Sequence, residues 1–207
     1  PYGMFQLGVC MEKNNKLEDA YSVFKKIYLD FPETEYAVYS FDNLNRLTNT
    51  EGLPIFKPTV QELYSRGEKL FKIYYYTLAL ESFDKILQDN SAALNYPDIY
   101  SKTLFRTGMS YYNMNNYNTA RDYLQNNYDK YPAGELADDS LYYLGRCLTN
   151  LNDNDGAIQV YKRLIELFPE SNYADDCLYR IGRISYIVDD LQNAAFYYQR
   201  IIDEYPS

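Results

Sequence analysis

Two pairs of neighbouring carboxylates are the first residues of this sequence that could do chemistry. Asp138-Asp139 and Asp175-Asp176 are 37 positions apart, and paired carboxylates can act as general acid and base. Both pairs, however, occupy the same place in a repeated pattern, at the predicted start of a helix. Acidic side chains at that end complement the helix dipole. We therefore predict a structural role for these aspartates.

The other reactive side chains offer no catalytic or metal-binding arrangement. The sequence contains no His, no Gly-rich phosphate loop and no Ser/His arrangement, although His is the common general base and a frequent zinc ligand. Cys10, Cys147 and Cys177 show no paired ligand spacing, and their odd number argues against a disulfide framework. We expect Cys10 and Cys147, each two residues after a recurring Gly, to be buried. Free thiols favour a reducing compartment. We predict no catalytic residue, metal or cofactor, and hence no enzyme.

Composition and charge argue against two classes of partner. The 207 residues carry a formal net charge of −9 with a pI near 4.6, whereas sequence-independent affinity for nucleic acid comes from Lys and Arg. Apolar runs are only a few residues long, and about 20 are needed to span a bilayer. We predict neither nucleic-acid binding nor membrane insertion in this segment. Because the chain starts at Pro1 without Met and stops just after a repeat end, we expect a fragment of a larger protein.

A fixed spacing of small residues recurs five times and defines the elements that would position any site. In each copy an Ala follows a Gly after 12 positions, and in four copies a Pro follows after 12 more. The copies are Gly8, Ala20 and Pro32; Gly67, Ala79 and Ser91; Gly108, Ala120 and Pro132; Gly145, Ala157 and Pro169; Gly182, Ala194 and Pro206. Such a period decides the architecture before any local assignment does.

Each copy has the pattern of a helical hairpin. Apolar residues at helical intervals surround the Gly, as at Leu141, Leu144 and Leu148, and a second periodic segment runs from the Ala toward the Pro. An Asn or Asp turn joins the two segments in four copies. We predict that Gly and Ala lie where the two helices cross too closely for a larger side chain. Because one hairpin cannot bury its apolar face alone, neighbouring hairpins must stack.

Over nearly its whole length the pattern resembles the tetratricopeptide repeat (TPR) family. That family's usual period is about 34 residues, whereas the last three Pro residues here are 37 apart. The segments 131–145 and 168–174 resemble a subgroup found in bacterial envelope proteins, which includes the Tol-Pal-associated coordinator and the lipoprotein of outer-membrane barrel assembly. The Trp that the family usually has four residues before the Gly is replaced by an apolar residue: Met4, Leu63, Leu104, Leu141 and Leu178.

The resemblance implies an all-α fold, a right-handed superhelical solenoid of five hairpins forming a single domain over residues 1–207. The repeats are expected at about 1–34, 60–93, 101–134, 138–171 and 175–207, with an insert at about 35–59. Within the insert, Tyr36 to Leu47 indicates an extra helix and Thr48 to Pro58 a loop. The alternative is a long irregular insertion. Four residues near 95–98 lengthen a later connection.

Two irregular segments are candidates for a secondary contact. The second repeat has Ile-Tyr-Tyr-Tyr at 73–76 where other repeats have Asn or Asp, and a broken local rule marks a place to look for function. The insert loop is apolar at 53–56. We predict that Tyr74, Tyr75 and Phe56 could contact a partner. The alternative is that the turn packs against the preceding insert and the loop against the edge of the solenoid.

The resemblance also implies a binding groove. In the TPR family the first helices of the hairpins line the concave face, and residues three before, one after and four after the Gly point inward. Here the position three before the Gly is aromatic in all five copies, and four of the nine Arg lie on the first helices of the last three repeats. Tyrosines supply contact area and Arg forks bind carboxylates. The predicted groove residues are Tyr64, Phe105, Arg106, Tyr112, Tyr142, Arg146, Tyr179, Arg180, Arg183 and Tyr186.

We expect these residues to bind a protein or peptide with acidic groups. Ordinary packing of the aromatic rings, and a local ion pair between Asp176 and Arg180, are the alternatives. The favoured function is a non-enzymatic scaffold of a bacterial envelope or motility assembly, periplasmic or envelope-associated. The two alternative functions are the non-catalytic helical arm of a larger peptidoglycan-cleaving enzyme and a cytosolic TPR adaptor in the cytoplasm.

Overall fold

The structure, a computed structural model, describes residues 1–205. These residues form twelve α-helices and no strand, which confirms the prediction of an all-α chain. The helices are α1 (Tyr2–Lys13), α2 (Leu17–Asp30), α3 (Glu35–Glu51), α4 (Val60–Lys72), α5 (Tyr76–Leu87), α6 (Ala92–Asn95), α7 (Pro97–Asn113), α8 (Tyr117–Lys130), α9 (Ala137–Asn150), α10 (Asn154–Leu167), α11 (Ala174–Ile187) and α12 (Leu191–Glu204). Pro206, predicted to follow the last helix, lies outside the described residues.

Ten of these helices form five hairpins, each built around one Gly and Ala copy. The pairs are α1 with α2, α4 with α5, α7 with α8, α9 with α10, and α11 with α12. Helix α3 follows the first hairpin and runs to Glu51, four residues beyond the predicted end at Leu47. Gly52 then ends it with a left-handed φ of 67°, a backbone conformation that Gly adopts without steric cost. The single turn α6 lies in the lengthened connection between α5 and α7.

The repeat Gly is the point of closest approach within each hairpin. A Cβ added at Gly145 would lie 2.4 Å from Cε1 of Tyr161, and one at Gly67 would lie 2.3 Å from Cε1 of Phe83. In every copy the neighbour is the residue 16 positions after the Gly, which is Phe24, Phe83, Leu124, Tyr161 or Tyr198. The five Ala residues are all buried. The predicted close crossing is therefore confirmed, and a large side chain from the second helix fills the space above each Gly.

One backbone geometry joins the two helices of every hairpin. Each turn contains one residue with a positive φ between 60° and 67°, and these residues are Asn15, Tyr74, Asn115, Asn152 and Asp189. Asn and Asp tolerate this left-handed conformation, whereas other non-Gly residues pay a steric penalty. The tyrosine turn of the second hairpin thus keeps the common geometry with an unfavourable residue type.

The contacts divide the chain into two units, residues 1–100 and 101–207. In the first unit, Phe24 and Tyr28 from α2, Leu44 and Leu47 from α3, and Phe56 from the following loop belong to one buried apolar cluster. The extra helix is therefore part of the core and not an appended segment.

The second unit has its own buried core. Its largest fully buried side chains are Leu104, Leu124, Leu141, Tyr161 and Leu164. Within the described residues 1–205, no helix combines the length and the apolar character that crossing a membrane requires.

The burial of the cysteines differs from the prediction at one position. Cys147 is buried as expected, but Cys10 is exposed. Cys147 lies on α9, which packs against α8 of the preceding hairpin. Within residues 1–205, α1 has no such neighbour, and Gly8 is its one buried residue. The prediction for Cys10 is therefore wrong.

Candidate partner-binding site

Six side chains of the second unit lie together, most of them on the first helices of its hairpins. Four of the six are predicted groove residues. We call this group the tyrosine–arginine cluster. Five of its six members lie on a first helix, within four residues of its repeat Gly. Its members are Tyr112 from α7, Tyr142, Tyr143 and Arg146 from α9, Tyr173 from the turn before α11, and Arg180 from α11.

The rings of the cluster are in contact with one another. Tyr142 and Tyr173 stack with centroids 4.2 Å apart and an interplanar angle of 12°. Tyr143 meets Tyr142 edge-on at 5.1 Å and Tyr112 at 5.6 Å. Such offset and edge-to-face pairs contribute about 0.5–1.5 kcal/mol each beyond the area that they bury. The rings therefore hold each other in defined orientations.

Arg180 is tied down inside the cluster. Its Nε donates to Oδ2 of Asp176 at 2.6 Å, and a terminal guanidinium nitrogen donates to the Tyr142 hydroxyl at 3.1 Å. The Tyr142 hydroxyl donates in turn to the same Asp176 oxygen at 2.6 Å. Only 21% of the Arg180 side chain is exposed. Arg180 therefore pairs locally with Asp176, which was the alternative to a groove role. Its guanidinium bonds to Tyr142 and is mostly shielded from solvent.

Burial and the bond to Asp176 together set the acidity of Tyr142. Burial is the larger effect, and the two raise the pKa of Tyr142 to about 12. The protonated hydroxyl is therefore the stable form well beyond neutral pH, and it remains a donor to Asp176. This bond joins α9 to α11, so it also fixes one hairpin against the next.

The aspartate pairs take part in the same inter-repeat ties. Tyr173 donates to Oδ1 of Asp139 at 2.8 Å, and Ser171 donates to Oδ2 of Asp138 at 2.6 Å. Burial raises the pKa of Asp139, and the bond from Tyr173 opposes that rise. Both pairs also lie in the first turns of α9 and α11, as predicted. Their contacts are those of structural acceptors.

Arg146 has a different environment from Arg180. Its guanidinium carbon lies 5.3 Å from the ring centroid of Tyr112, 5.8 Å from that of Tyr142 and 5.9 Å from that of Tyr143. No carboxylate lies within ion-pairing distance of it among residues 1–205. Arg183 occupies the matching position of α11, one residue after the repeat Gly, and is exposed. Neither guanidinium group has a carboxylate within ion-pairing distance among the described residues.

The remaining predicted groove residues differ in accessibility. Phe105 is buried beside Tyr143, and Arg106 is half-buried over the Phe105 ring at 5.8 Å. Tyr179 is 48% exposed and Tyr186 63% exposed. The two tyrosines therefore extend the accessible surface of α11 next to Arg183, whereas Phe105 supports the cluster from within.

Tyr64 and the candidate secondary contacts belong to the first unit. Tyr64 is half-buried and packs on Phe83 at 6.1 Å. Phe56 is buried, with its ring edge-on to Tyr28 at 5.3 Å, so its ring is core and is not open to a partner. Tyr74 is 77% exposed and Tyr75 is also exposed. Of the three, only these two tyrosines present accessible rings.

Sequence reasoning missed two members of the cluster, Tyr143 and Tyr173, and the bonds that Asp139 and Asp176 accept from its tyrosines. A signal for two of these contacts was present, because Tyr142 and Asp176, like Asp139 and Tyr173, are 34 positions apart. That offset is three residues, about one helical turn, shorter than the 37-residue period of these repeats. Tyr143 also carried a signal, because it stands two residues before a repeat Gly, as do Arg106 and Arg180, which were predicted to line the groove.

The described residues hold no cluster of metal ligands, and their two buried thiols are not activated. No group of three or more His, Cys, Asp or Glu side chains converges within residues 1–205. Burial raises the pKa of Cys147 to about 12 and that of Cys177 still further. A thiol that stays protonated is a poor nucleophile.

Five hairpins of one geometry, with aromatic and cationic side chains on their first helices, define a helical-repeat protein. The chain belongs to the tetratricopeptide repeat family, whose model matches residues 2–34, 102–133, 139–171 and 176–207. These segments coincide with the first, third, fourth and fifth hairpins. The second hairpin, with its tyrosine turn, and the insert before it lie outside the matched segments. A comparison with curated proteins found no match.

Solved TPR structures share the fold at low sequence identity. MamA 41-end from Desulfovibrio magneticus RS-1 is 18% identical with a TM-score of 0.59, covering 89% of this chain and 94% of that chain. YrrB, described as a TPR protein with an unusual peptide-binding site, is also 18% identical, with a TM-score of 0.59, covering 96% of this chain and 91% of that chain. PilF of Pseudomonas aeruginosa is 16% identical with a TM-score of 0.55, covering 99% and 91%.

Proposed function

We propose that this chain is a non-enzymatic scaffold that binds a protein or peptide with acidic groups on the first helices of its second unit. Arg146 and Arg183 pair with carboxylates of the partner, and Tyr112, Tyr179 and Tyr186 supply contact area. The single observation that carries the proposal is the environment of Arg146. Its guanidinium lies over three tyrosine rings with no ion-pairing carboxylate among the described residues.

Physical chemistry favours a carboxylate at this place. An Arg fork binds a carboxylate through two parallel hydrogen bonds, and stacking on aromatic rings leaves the edge of the fork available for them. Tyrosine and arginine are also the residue types that dominate the energetics of protein interfaces. In a chain with a net charge of −9, two such cations at equivalent repeat positions favour a repeated acidic motif in the partner.

We further propose a place in a bacterial envelope or motility assembly. The support is the resemblance of segments 131–145 and 168–174 to envelope TPR proteins. Under this proposal the chain is periplasmic or envelope-associated, and a cytoplasmic adaptor is the alternative. YrrB, whose description names a peptide-binding site, supports a peptide as the ligand.

The test is a double charge reversal, Arg146→Glu with Arg183→Glu. We expect the affinity for the partner captured by the wild-type chain to fall more than about tenfold, which corresponds to about 1.4 kcal/mol. The matched control is Arg121→Glu with Arg163→Glu, which changes the charge by the same amount on second helices of the same unit. Circular dichroism checks that both variants remain helical. Unchanged binding of the first variant, or an equal loss in the control, contradicts the proposal.

A further inference from the structure

A second candidate site lies in the first unit, whereas the tyrosine–arginine cluster belongs to the second. It is a cavity of about 880 Å³ between the loop that precedes α4, the end of α5 and the connection that contains α6. Ligand pockets in proteins have volumes of about 300–1,000 Å³. The residues that line this cavity include apolar, amide and cationic ones, among them Lys57, Val60, Leu63, Lys85, Gln88 and Asn95.

Both departures from the repeat period contribute to this cavity. Lys57 belongs to the insert that separates the first two hairpins, and Gln88 and Asn95 belong to the lengthened connection after the second. A regular hairpin has neither segment. The cavity therefore depends on the two irregular segments of this chain.

The inner wall of the cavity is apolar. Val60 and Leu63 lie one helical turn apart at the start of α4, and both are more than nine-tenths buried. A small apolar side chain of a ligand would complete the burial of this wall. Gln88 and Asn95 add exposed amide groups, which can both donate to and accept from a peptide main chain.

The charged groups of the cavity favour an anion. Lys57 and Lys85 are exposed, and neither ammonium group has a carboxylate within salt-bridge distance in the part of the chain that the structure describes. Lys85 instead lies 3.5 Å from the Tyr28 hydroxyl and 5.6 Å from the Phe41 ring centroid. Asp89 also lines the cavity, where its Oδ1 accepts from the amide and the hydroxyl of Ser91. These bonds and, to a smaller extent, the charge of Lys57 lower the pKa of the Asp89 carboxyl, so the cavity holds two lysines and one carboxylate.

The geometry points to a peptide-binding site in this cavity. We propose that it binds an extended peptide segment that has an apolar residue next to an acidic one. The apolar side chain packs on Val60 and Leu63, the carboxylate pairs with Lys57 and Lys85, and the main chain bonds to Gln88 and Asn95. This site is independent of the proposed carboxylate recognition by Arg146 and Arg183.

The proposal is tested with two fluorescein-labelled probes on the full chain, Ser-Leu-Glu-Leu-Ser and its counterpart Ser-Leu-Gln-Leu-Ser. Fluorescence anisotropy should show saturable binding of the Glu peptide and at least about fivefold weaker binding of the Gln peptide. In the variant Lys57→Gln with Lys85→Gln, the Glu peptide should bind as weakly as the Gln peptide, and the Gln peptide should lose little more. Such non-additivity indicates a direct contact between the carboxylate and the ammonium groups.

Three controls establish whether the Glu peptide binds in this cavity. Lys13→Gln with Lys16→Gln changes two exposed lysines of the same unit and should leave both affinities unchanged. Arg146→Glu with Arg183→Glu should also bind the Glu peptide normally; a loss there would move the probe to the second unit and overturn the cavity proposal alone. Inorganic phosphate should not displace the peptide. Displacement by phosphate, no saturable binding, or equal affinity for the two probes would each overturn the proposal.

Discussion

At the scale of single residues, each of the five repeat positions requires Gly because a large side chain of the second helix packs against it. The φ angles of these glycines are ordinary, so backbone freedom does not require them. Space does, because Tyr161 is fully buried and lies 2.4 Å from where a Cβ of Gly145 would stand. A buried ring of that kind has nowhere to move.

We therefore expect Gly145→Ala to destabilise the chain. Overpacking in a core costs about 1–3 kcal/mol, and the better helix propensity of Ala returns up to about 1 kcal/mol. The net loss of about 1–2 kcal/mol is measured by urea unfolding. The control is Gly3→Ala in α1, where a Cβ meets nothing within 4 Å. That variant should be unchanged or slightly more stable, and equal losses in the two variants would show that the ring of Tyr161 is not the cause.

Tyr74 offers the opposite case, a residue whose replacement should stabilise the fold. It has a φ of 67° where the other four hairpins have Asn or Asp, and its ring is mostly exposed. The left-handed conformation costs an ordinary residue about 1–2 kcal/mol, and Asn pays less. Tyr74→Asn should therefore raise the free energy of unfolding by about 1 kcal/mol. Tyr75→Asn, at a φ of −85°, should not, and a gain in the second variant alone would contradict a backbone origin of the effect.

At the scale of elements, helix α3 is the clearest departure from a regular repeat array. Leu44 and Leu47 on one side of α3 are fully buried, whereas Val38 is exposed. We expect Leu44→Ala to cost about 2–5 kcal/mol, as large-to-small changes in a core do. Val38→Ala on the same helix should stay within about 0.5 kcal/mol of wild type. If thermal melts show both variants unchanged, α3 is not part of the core in solution.

The hydrogen bond from Tyr142 on α9 to Asp176 on α11 predicts that the stability of the fold depends on pH. A tyrosine whose pKa is raised in the folded state, here to about 12 for Tyr142, favours folding below its ordinary pKa of about 10. That contribution disappears as the pH rises toward 12, because the unfolded chain ionises first. Wild type should lose about 1 kcal/mol more than Tyr142→Phe between neutral pH and about pH 11.

Two features of that experiment keep it specific. At neutral pH, Tyr142→Phe should be less stable by about 1 kcal/mol, because it loses the bond to Asp176. Tyr186→Phe, a change at an exposed ring, should respond to alkaline pH as wild type does. Parallel losses in wild type and Tyr142→Phe would mean that the tie does not control the alkaline response.

The sequence predicted the elements better than the contacts between them. The Gly and Ala residues recur at a fixed spacing because each hairpin needs small residues where its two helices cross. The hairpins could therefore be located from the sequence. The extra helix was predicted over Tyr36 to Leu47, but its end at Glu51 was missed because residues 48–51 include no apolar residue. The pairing of Arg180 with Asp176 could be anticipated from their spacing on one helix, whereas the lack of an ion pair at Arg146 depends on side-chain geometry across repeats.

At the scale of the whole molecule, the chain is an array of helical hairpins. In such arrays stability is approximately a sum of local terms, so parts of the chain can open separately. The two contact units each have their own core, with Phe24, Leu44 and Phe56 in the first and Leu141 and Tyr161 in the second. The cavity lined by Lys57 and Lys85 belongs to the first unit, and the tyrosine–arginine cluster belongs to the second.

We therefore expect the two units to respond separately to mutation. In native-state hydrogen exchange, Leu44→Ala should lower the protection of amides within residues 1–100 and leave that of residues 101–205 close to wild type. Gly145→Ala should do the reverse. The reason is that each substitution disturbs packing in one core only. If either variant lowers protection evenly along the chain, residues 1–205 open as one cooperative body, and ligand binding in one unit would then also stabilise the other.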